Sequence, residues 1–236
     1  MKKEKELMKN SFDCIKCKDT FWIISNQGKA TRCTCFEQQS IKEQWKAAGL
    51  KIDDLDKTFK SYETWNNTTK NIKTVATNYC LRFEKIRSDR NNSILLCGNP
   101  GVGKTHLSIA LANNFMKKGI KVVYMPYRDI LTSLKQNILD KEYYKKLITK
   151  YKEAQILLID DLYKGKITEA DINIMFEIVN HRYINKLPMI VSSEFTIEHI
   201  LGIDEAIGSR IYEMSKEFIF EVRGKENNYR LRTNNG

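Results

Sequence analysis

The stretch Ile94-Leu95-Leu96-Cys97-Gly98-Asn99-Pro100-Gly101-Val102-Gly103-Lys104-Thr105 decides the fold. Its apolar start is about as long as a buried parallel strand. The rest fits G-x-x-x-x-G-K-[ST], the P-loop, and a helical pattern from His106 to Lys118 follows it. A triphosphate needs a concave array of backbone N–H groups. Gly98, Gly101 and Gly103 allow that turn and a close backbone approach, and the helix N-terminus adds partial positive charge. Residues Gly98, Asn99, Pro100, Gly101, Val102, Gly103, Lys104, Thr105 and His106 thus form the expected nucleotide-binding segment. Lys104 is assigned to the β- and γ-phosphates and Thr105 to Mg²⁺, while His106 is read as structural within the segment.

Further short apolar runs flank this motif, at Val122–Met125, Ile156–Ile159 and Met189–Val191. The intervals suit helical crossovers rather than hairpins, so the prediction from about residue 70 onward is an α/β domain with a parallel sheet flanked by helices. Before it, Lys70–Asp89 reads as an amphipathic helix, with Ile72, Val75, Tyr79, Phe83 and Ile86 on one face, and Ile41–Leu50 as a short helix.

The run Ile156-Leu157-Leu158-Ile159-Asp160-Asp161 is a Walker B pattern, a buried strand ending in paired carboxylates. Asp160 would hold the Mg²⁺ shell and Asp161 would polarise the attacking water. Asp161 is shorter than the Glu common at that place, so slow turnover is expected. The run Pro188-Met189-Ile190-Val191-Ser192-Ser193-Glu194 ends in hydroxyls. They fit a polar γ-phosphate sensor or a plain helix cap.

The whole chain has 236 residues and a formal net charge of +11, which points to a polyanionic partner, nucleic acid first. Apolar residues make up 42%, too many for a disordered chain. No apolar run approaches the ~18 residues of a membrane span, and the basic N-terminus lacks the apolar core of a signal peptide. The expected location is cytoplasmic, away from membranes, where disulfides are rare. Against that background Cys14-x-x-Cys17 and Cys33-x-Cys35 suit one tetrahedral Zn²⁺ bound by four thiolates, since no His precedes His106. Zinc would supply folding energy to a segment with little core of its own. Free thiols or a redox pair are the alternatives. The division expected is a zinc module at 1–60 and an ATPase domain at 61–236.

Together these segments resemble AAA+ helicase loaders of the DnaC/DnaI type, including those of phages and mobile elements. The resemblance runs through Phe59-Lys60-Ser61-Tyr62, GNPGVGKTHL at 98–107, IDDL at 159–162, PMIVSSEFT at 188–196, GSRIYE at 208–213 and NYRLR at 228–232. It implies an AAA+ P-loop NTPase with a zinc-ribbon-like N-terminal module that binds a replicative helicase. It also implies ATP/ADP and Mg²⁺ as ligands and slow hydrolysis stimulated by self-association or DNA. Ser192 or Ser193 would be sensor I, with Glu194 standing where the family often has Asn. Ser193 is taken as the catalytic sensor. Arg210 matches an arginine finger given to a neighbouring subunit, and Arg230 a sensor II position. A solvated helix arginine and a nucleic-acid-binding tail are the respective alternatives. Tyr127–Lys152 holds enough residues for two helices, where a simple crossover needs one. Its Lys135, Lys141, Tyr143, Tyr144, Lys145, Lys146, Lys150, Tyr151 and Lys152 suit single-stranded DNA, or else form a solvated lysine face. An IstB-type transposition helper ATPase shares the same core, and a non-hydrolysing zinc-dependent DNA-binding adaptor is a further alternative.

Overall fold

The computed structural model describes residues 14–25, 28–33, 35–36, 43 and 45–231, without the side chains of Ile52 and Lys225. Its strands are β1 (Trp22–Ile24), β2 (Ala30–Arg32), β3 (Ile94–Gly98), β4 (Val122–Pro126), β5 (Ile156–Leu162), β6 (Met189–Ser193) and β7 (Ile219–Val222). Its α-helices are α1 (Asn67–Ile86), α2 (Lys104–Lys117), α3 (Tyr127–Gln136), α4 (Lys141–Lys152), α5 (Glu169–Ile184), α6 (Ile197–Ile203) and α7 (Glu205–Ser215).

The last five strands form one parallel sheet in the order β4-β5-β6-β3-β7. Every residue of β3 and β6 is buried, as both faces of a parallel sheet carry helices. The chain leaves β3 for β4 on one side and returns to β7 on the other. That reversal opens a crevice at the carboxyl end of β3, where open α/β sheets bind ligands. The α/β expectation holds. The sequence reading missed β7, because Glu221 interrupts its short run and three of its four residues are only half-buried.

The helix expected at Lys70–Asp89 starts earlier, at Asn67. The Asn66 side chain accepts from Thr69 N at 2.8 Å and supplies the N-cap. Of the predicted face Ile72, Tyr79, Phe83 and Ile86 are buried, whereas Val75 is half-buried and the neighbouring Ala76 is buried instead. Tyr127–Lys152 does form two helices, α3 and α4. Of the expected Ile41–Leu50 helix, Trp45–Ala48 is helical, and Ile41, Lys42 and Gln44 lie outside the described residues.

One feature of the core has no signal in the sequence. Arg182 is fully buried, and its guanidinium donates to four carbonyls: Tyr151 (3.0 Å), Lys152 (3.1 Å), Ala154 (2.9 Å) and Pro188 (2.7 Å). Burial pushes its pKa down to about 9. These bonds fasten the end of α4 to the entry of β6.

The chain divides into compact units Met1–Gln44 and Trp45–Gly236. This boundary falls before the expected one at 60/61. The intervening segment packs on α2, with Asn113 Nδ2 donating to Lys57 O at 2.7 Å. In the smaller unit β1 and β2 pair antiparallel, with Trp22 opposite Arg32, and all six of their residues are exposed. The Arg32 guanidinium lies over the rings of Phe36 (4.0 Å) and Trp22 (4.4 Å).

Candidate functional site

A cavity of about 590 Å³ opens at the carboxyl end of β3. Its floor is the P-loop. Gly98 has φ +92°, and a Cβ there would strike the Val222 backbone of β7, which accepts from Asn99 N at 2.9 Å. Gly103 has φ +88°, and a Cβ there would lie 2.7 Å from the Tyr62 ring. Tyr62 OH donates to Val102 O at 2.5 Å, so this aromatic clamps the loop from outside. His106 donates through Nε2 to Thr58 O at 2.9 Å and meets the Tyr62 ring edge-on, which fits its structural reading.

Lys104 is buried, and its ammonium donates to Gly98 O and Asn99 O, both at 2.8 Å. Burial lowers its pKa; Glu194 and Asp161 nearby oppose that. Its Nζ is anchored at the loop where phosphate oxygens would lie.

Asp160 collects three hydroxyls. Ser192 Oγ donates to Oδ1 at 2.5 Å, Thr105 Oγ1 to Oδ1 at 2.9 Å and Tyr124 OH to Oδ2 at 3.0 Å. Burial raises the carboxyl's pKa, the Ser192 hydrogen bond opposes this, and Asp161 reinforces it. Adjacent oxygens of octahedral Mg²⁺ lie ~2.9 Å apart, so the Thr105–Asp160 pair fits that ion's donor set. Asp161 follows on a β-bulge with φ +57°, its N–H donating to Ser192 Oγ at 2.9 Å. The bulge turns consecutive carboxylates to different tasks. Asp160 faces Thr105, whereas Asp161 Oδ2 meets Lys164 Nζ at 2.7 Å.

Ser193 is placed otherwise than expected. Its Oγ donates to Leu162 O at 2.9 Å, and it does not line the cavity, whereas Glu194 does. Arg230 lines the cavity from a short turn at Tyr229–Leu231, anchored by Tyr229 N donating to Gly101 O at 3.0 Å. Arg232 lies outside the described residues. Trp65 and Tyr229 lie 5.3 Å apart between ring centroids, tilted 53° to one another, and make an aromatic wall. Arg210 stands apart on α7, half-buried, donating to Asn180 Oδ1 at 3.0 Å and Ala206 O at 2.7 Å. Sequence reasoning missed Tyr124, Lys164, Trp65 and Tyr229. Only chain folding brings them to the P-loop, and no local spacing marks them.

The basic stretch is sorted by the fold. Lys141, Tyr143, Lys145, Lys146 and Lys150 are exposed on α4. Tyr151 is core, Lys135 pairs with Asp171 at 2.7 Å, and Lys152 pairs with Glu177 at 3.0 Å.

In the smaller unit the four sulfurs of Cys14, Cys17, Cys33 and Cys35 lie within 4.8 Å of one another. Two of the separations are 3.8 Å (Cys14–Cys33) and 3.2 Å (Cys17–Cys35). Tetrahedral zinc, with Zn–S bonds of ~2.3 Å, sets sulfurs ~3.8 Å apart, so the donor set fits one such ion. The Cys17 N–H helps pull the Cys14 thiol down to about 7.

Comparison with known proteins accords with this geometry. A family model described as IstB-like ATP binding protein matches residues 19–235. The phage-like element PBSX protein XkdC of Bacillus subtilis (strain 168) is 34% identical over 233 residues, covering 93% of this chain and 86% of its own. Among solved structures, the DnaC helicase loader superposes with a TM-score of 0.59 at 19% identity, over 73% of this chain and 100% of that one. A replication initiator DnaA bound to AMPPCP and single-stranded DNA superposes with a TM-score of 0.59 at 23% identity, over 72% of this chain and 51% of that one.

Proposed function

Since the chain belongs to the IstB/DnaC-like AAA+ ATPase family, we propose that it is an ATP-dependent loader of a replicative DNA helicase, cytoplasmic, acting on single-stranded DNA. The observation that carries the ATPase part is the convergence of Lys104, Thr105, Asp160 and Asp161 on one cavity. The likeness to the DnaC helicase loader, over that chain's full length, supports the loader part.

In this reading P-loop N–H groups and Lys104 bind the phosphates of ATP, and the base lies against Trp65 and Tyr229. Thr105 and Asp160 hold Mg²⁺, which when bound offsets charge on the phosphate oxygens. Tyr124 and Ser192 fix the Asp160 carboxylate for that task. Asp161 orients the attacking water and accepts its proton. Arg230 stabilises charge from the same chain, and Arg210 does so from a neighbouring copy. Turnover is therefore slow in isolated chains and rises on self-association or DNA binding. If Arg210 serves in trans, Arg210→Ala abolishes the oligomer-stimulated ATPase, whereas a solvated helix arginine leaves it unchanged.

Four cysteines bind zinc and order the smaller unit, which grips the helicase. The exposed lysines of α4 track DNA phosphates. Co-purification with the hexameric replicative helicase of the host, with zinc measured on the same sample, tests the loader. Capture of a transposase instead establishes a transposition helper, the reading that the IstB-like family match favours. Absence of hydrolysis in a single-turnover assay, with and without single-stranded DNA, establishes a non-hydrolysing adaptor.

A further inference from the structure

The carboxyl end of β6 presents no hydroxyl to the nucleotide cavity. Ser192 is committed to Asp160 and Asp161 N, and Ser193 to Leu162 O. What β6 does present is Glu194, beside Asp161. Two carboxylates facing the place of a triphosphate repel it, so a cation is needed there. Lys164 supplies one. Left-handed Tyr163 (φ +66°) and Gly165 (φ +97°) flank it on the turn after β5. Its ammonium bridges Asp161 Oδ2 at 2.7 Å and Glu194 Oε1 at 3.2 Å.

Resting on the ATPase reading above, we propose that Lys164 is the γ-phosphate-sensing residue of this site. Its ammonium exchanges between two sets of acceptors. One set is Asp161 and Glu194, as seen. The other keeps Glu194 and puts the γ-phosphate in place of Asp161, since its greater charge and three oxygens outcompete that single carboxylate. Glu194 holds the ammonium within reach of both sets. Transfer to phosphate frees Asp161 Oδ2 to accept a hydrogen bond from water. A site that holds ADP leaves Lys164 on Asp161, so the base is engaged only when the third phosphate is there. The side chain is 48% exposed on a long flexible stem, which permits the exchange. Lys164, Glu194, Asp161 and Lys104 all line the one cavity.

The test is calorimetric titration of the full chain with Mg–AMPPNP and, separately, Mg–ADP. Lys164→Met is expected to weaken AMPPNP about tenfold and ADP less than about twofold. Lys164→Arg recovers most of the AMPPNP preference, and Glu194→Gln narrows it. Equal weakening of both nucleotides, with or without a fall in melting temperature, overturns the proposal, as does no weakening of either. Wild-type protein that binds neither nucleotide overturns the ATPase reading itself, and this proposal with it.

Discussion

The two units of this chain solve the same problem by opposite means. The sheet of the larger unit buries every residue of β3 and β6 under helices. The smaller unit's strands are three residues each and wholly exposed, and its buried apolar residues among those described are Cys17 and Cys33. A lone hairpin of that size is marginal in water. The comparison teaches where order can come from: solvent exclusion in the one, and in the other the metal proposed for four sulfurs within 4.8 Å. A perturbation aimed at either source should leave the other unit standing.

On the proposed zinc site, metal removal is the largest such perturbation. Structural zinc supplies on the order of 10 kcal/mol to a small module. Chelation, or Cys17→Ser, is expected to abolish the amide dispersion of residues 14–36 in an NMR spectrum and leave that of the larger unit. Survival of the hairpin under chelation would falsify the metal as its source of order.

The counterpart in the larger unit is Arg182→Ala. It removes the guanidinium from four carbonyls, of which Pro188 O keeps Leu157 N, and leaves a cavity, so a loss of roughly 3–5 kcal/mol is expected in urea denaturation. Lys cannot replace this planar fork, so Arg182→Lys recovers less than half of the loss.

Next comes Lys104→Ala, with about a hundredfold loss of nucleotide affinity or turnover, or ~2.7 kcal/mol, without change in zinc content. Tyr124→Phe, which removes one of three hydroxyls on Asp160, is expected to cost turnover about tenfold and stability less than ~1 kcal/mol. Measured ATPase and melting temperature separate the two.

The smallest effect concerns pH. Burial lowers the His106 pKa below its ordinary value in the folded chain. The unfolded chain therefore binds more protons as pH falls below about 6.5, and stability, complete above that value, declines on acidification until the folded histidine titrates. Urea midpoints at pH 7 and pH 5.5 should differ less for His106→Gln than for the wild type. An equal difference in both means other groups carry the acid sensitivity.

Legibility in the sequence followed the locality of the interaction. Gly98–Thr105 is contiguous, so its turn and helix could be read at once. Asp160 and Asp161 are adjacent, yet their divergence depends on a bulge that no periodicity announces. Ser192 and Ser193 could not be told apart because β6 is buried on both faces and its alternation carries no information. The aromatic wall joins residues 65 and 229, and the Lys164 bridge joins the ends of β5 and β6. Such pairings belong to topology rather than spacing. β7 stayed hidden because an edge strand tolerates a charge that an interior strand would not. The four-cysteine cluster was legible, since ligand spacing is itself the signal, whereas the β1–β2 hairpin and the boundary after Gln44 were not.

Arg182 is a coupling as well as a bond. Its guanidinium holds Tyr151 O and Ala154 O at the end of α4 and Pro188 O at the entry of β6, and Leu157 N of β5 donates to that same Pro188 O at 3.2 Å. Fraying of the last turn of α4 must therefore break bonds that also hold the sheet's entry. The exposed lysines ahead of that turn sit on a helix already formed and fastened at its C-terminal end. Whatever anion meets them pays no entropy to form the helix, and binding there should carry only a small change in heat capacity.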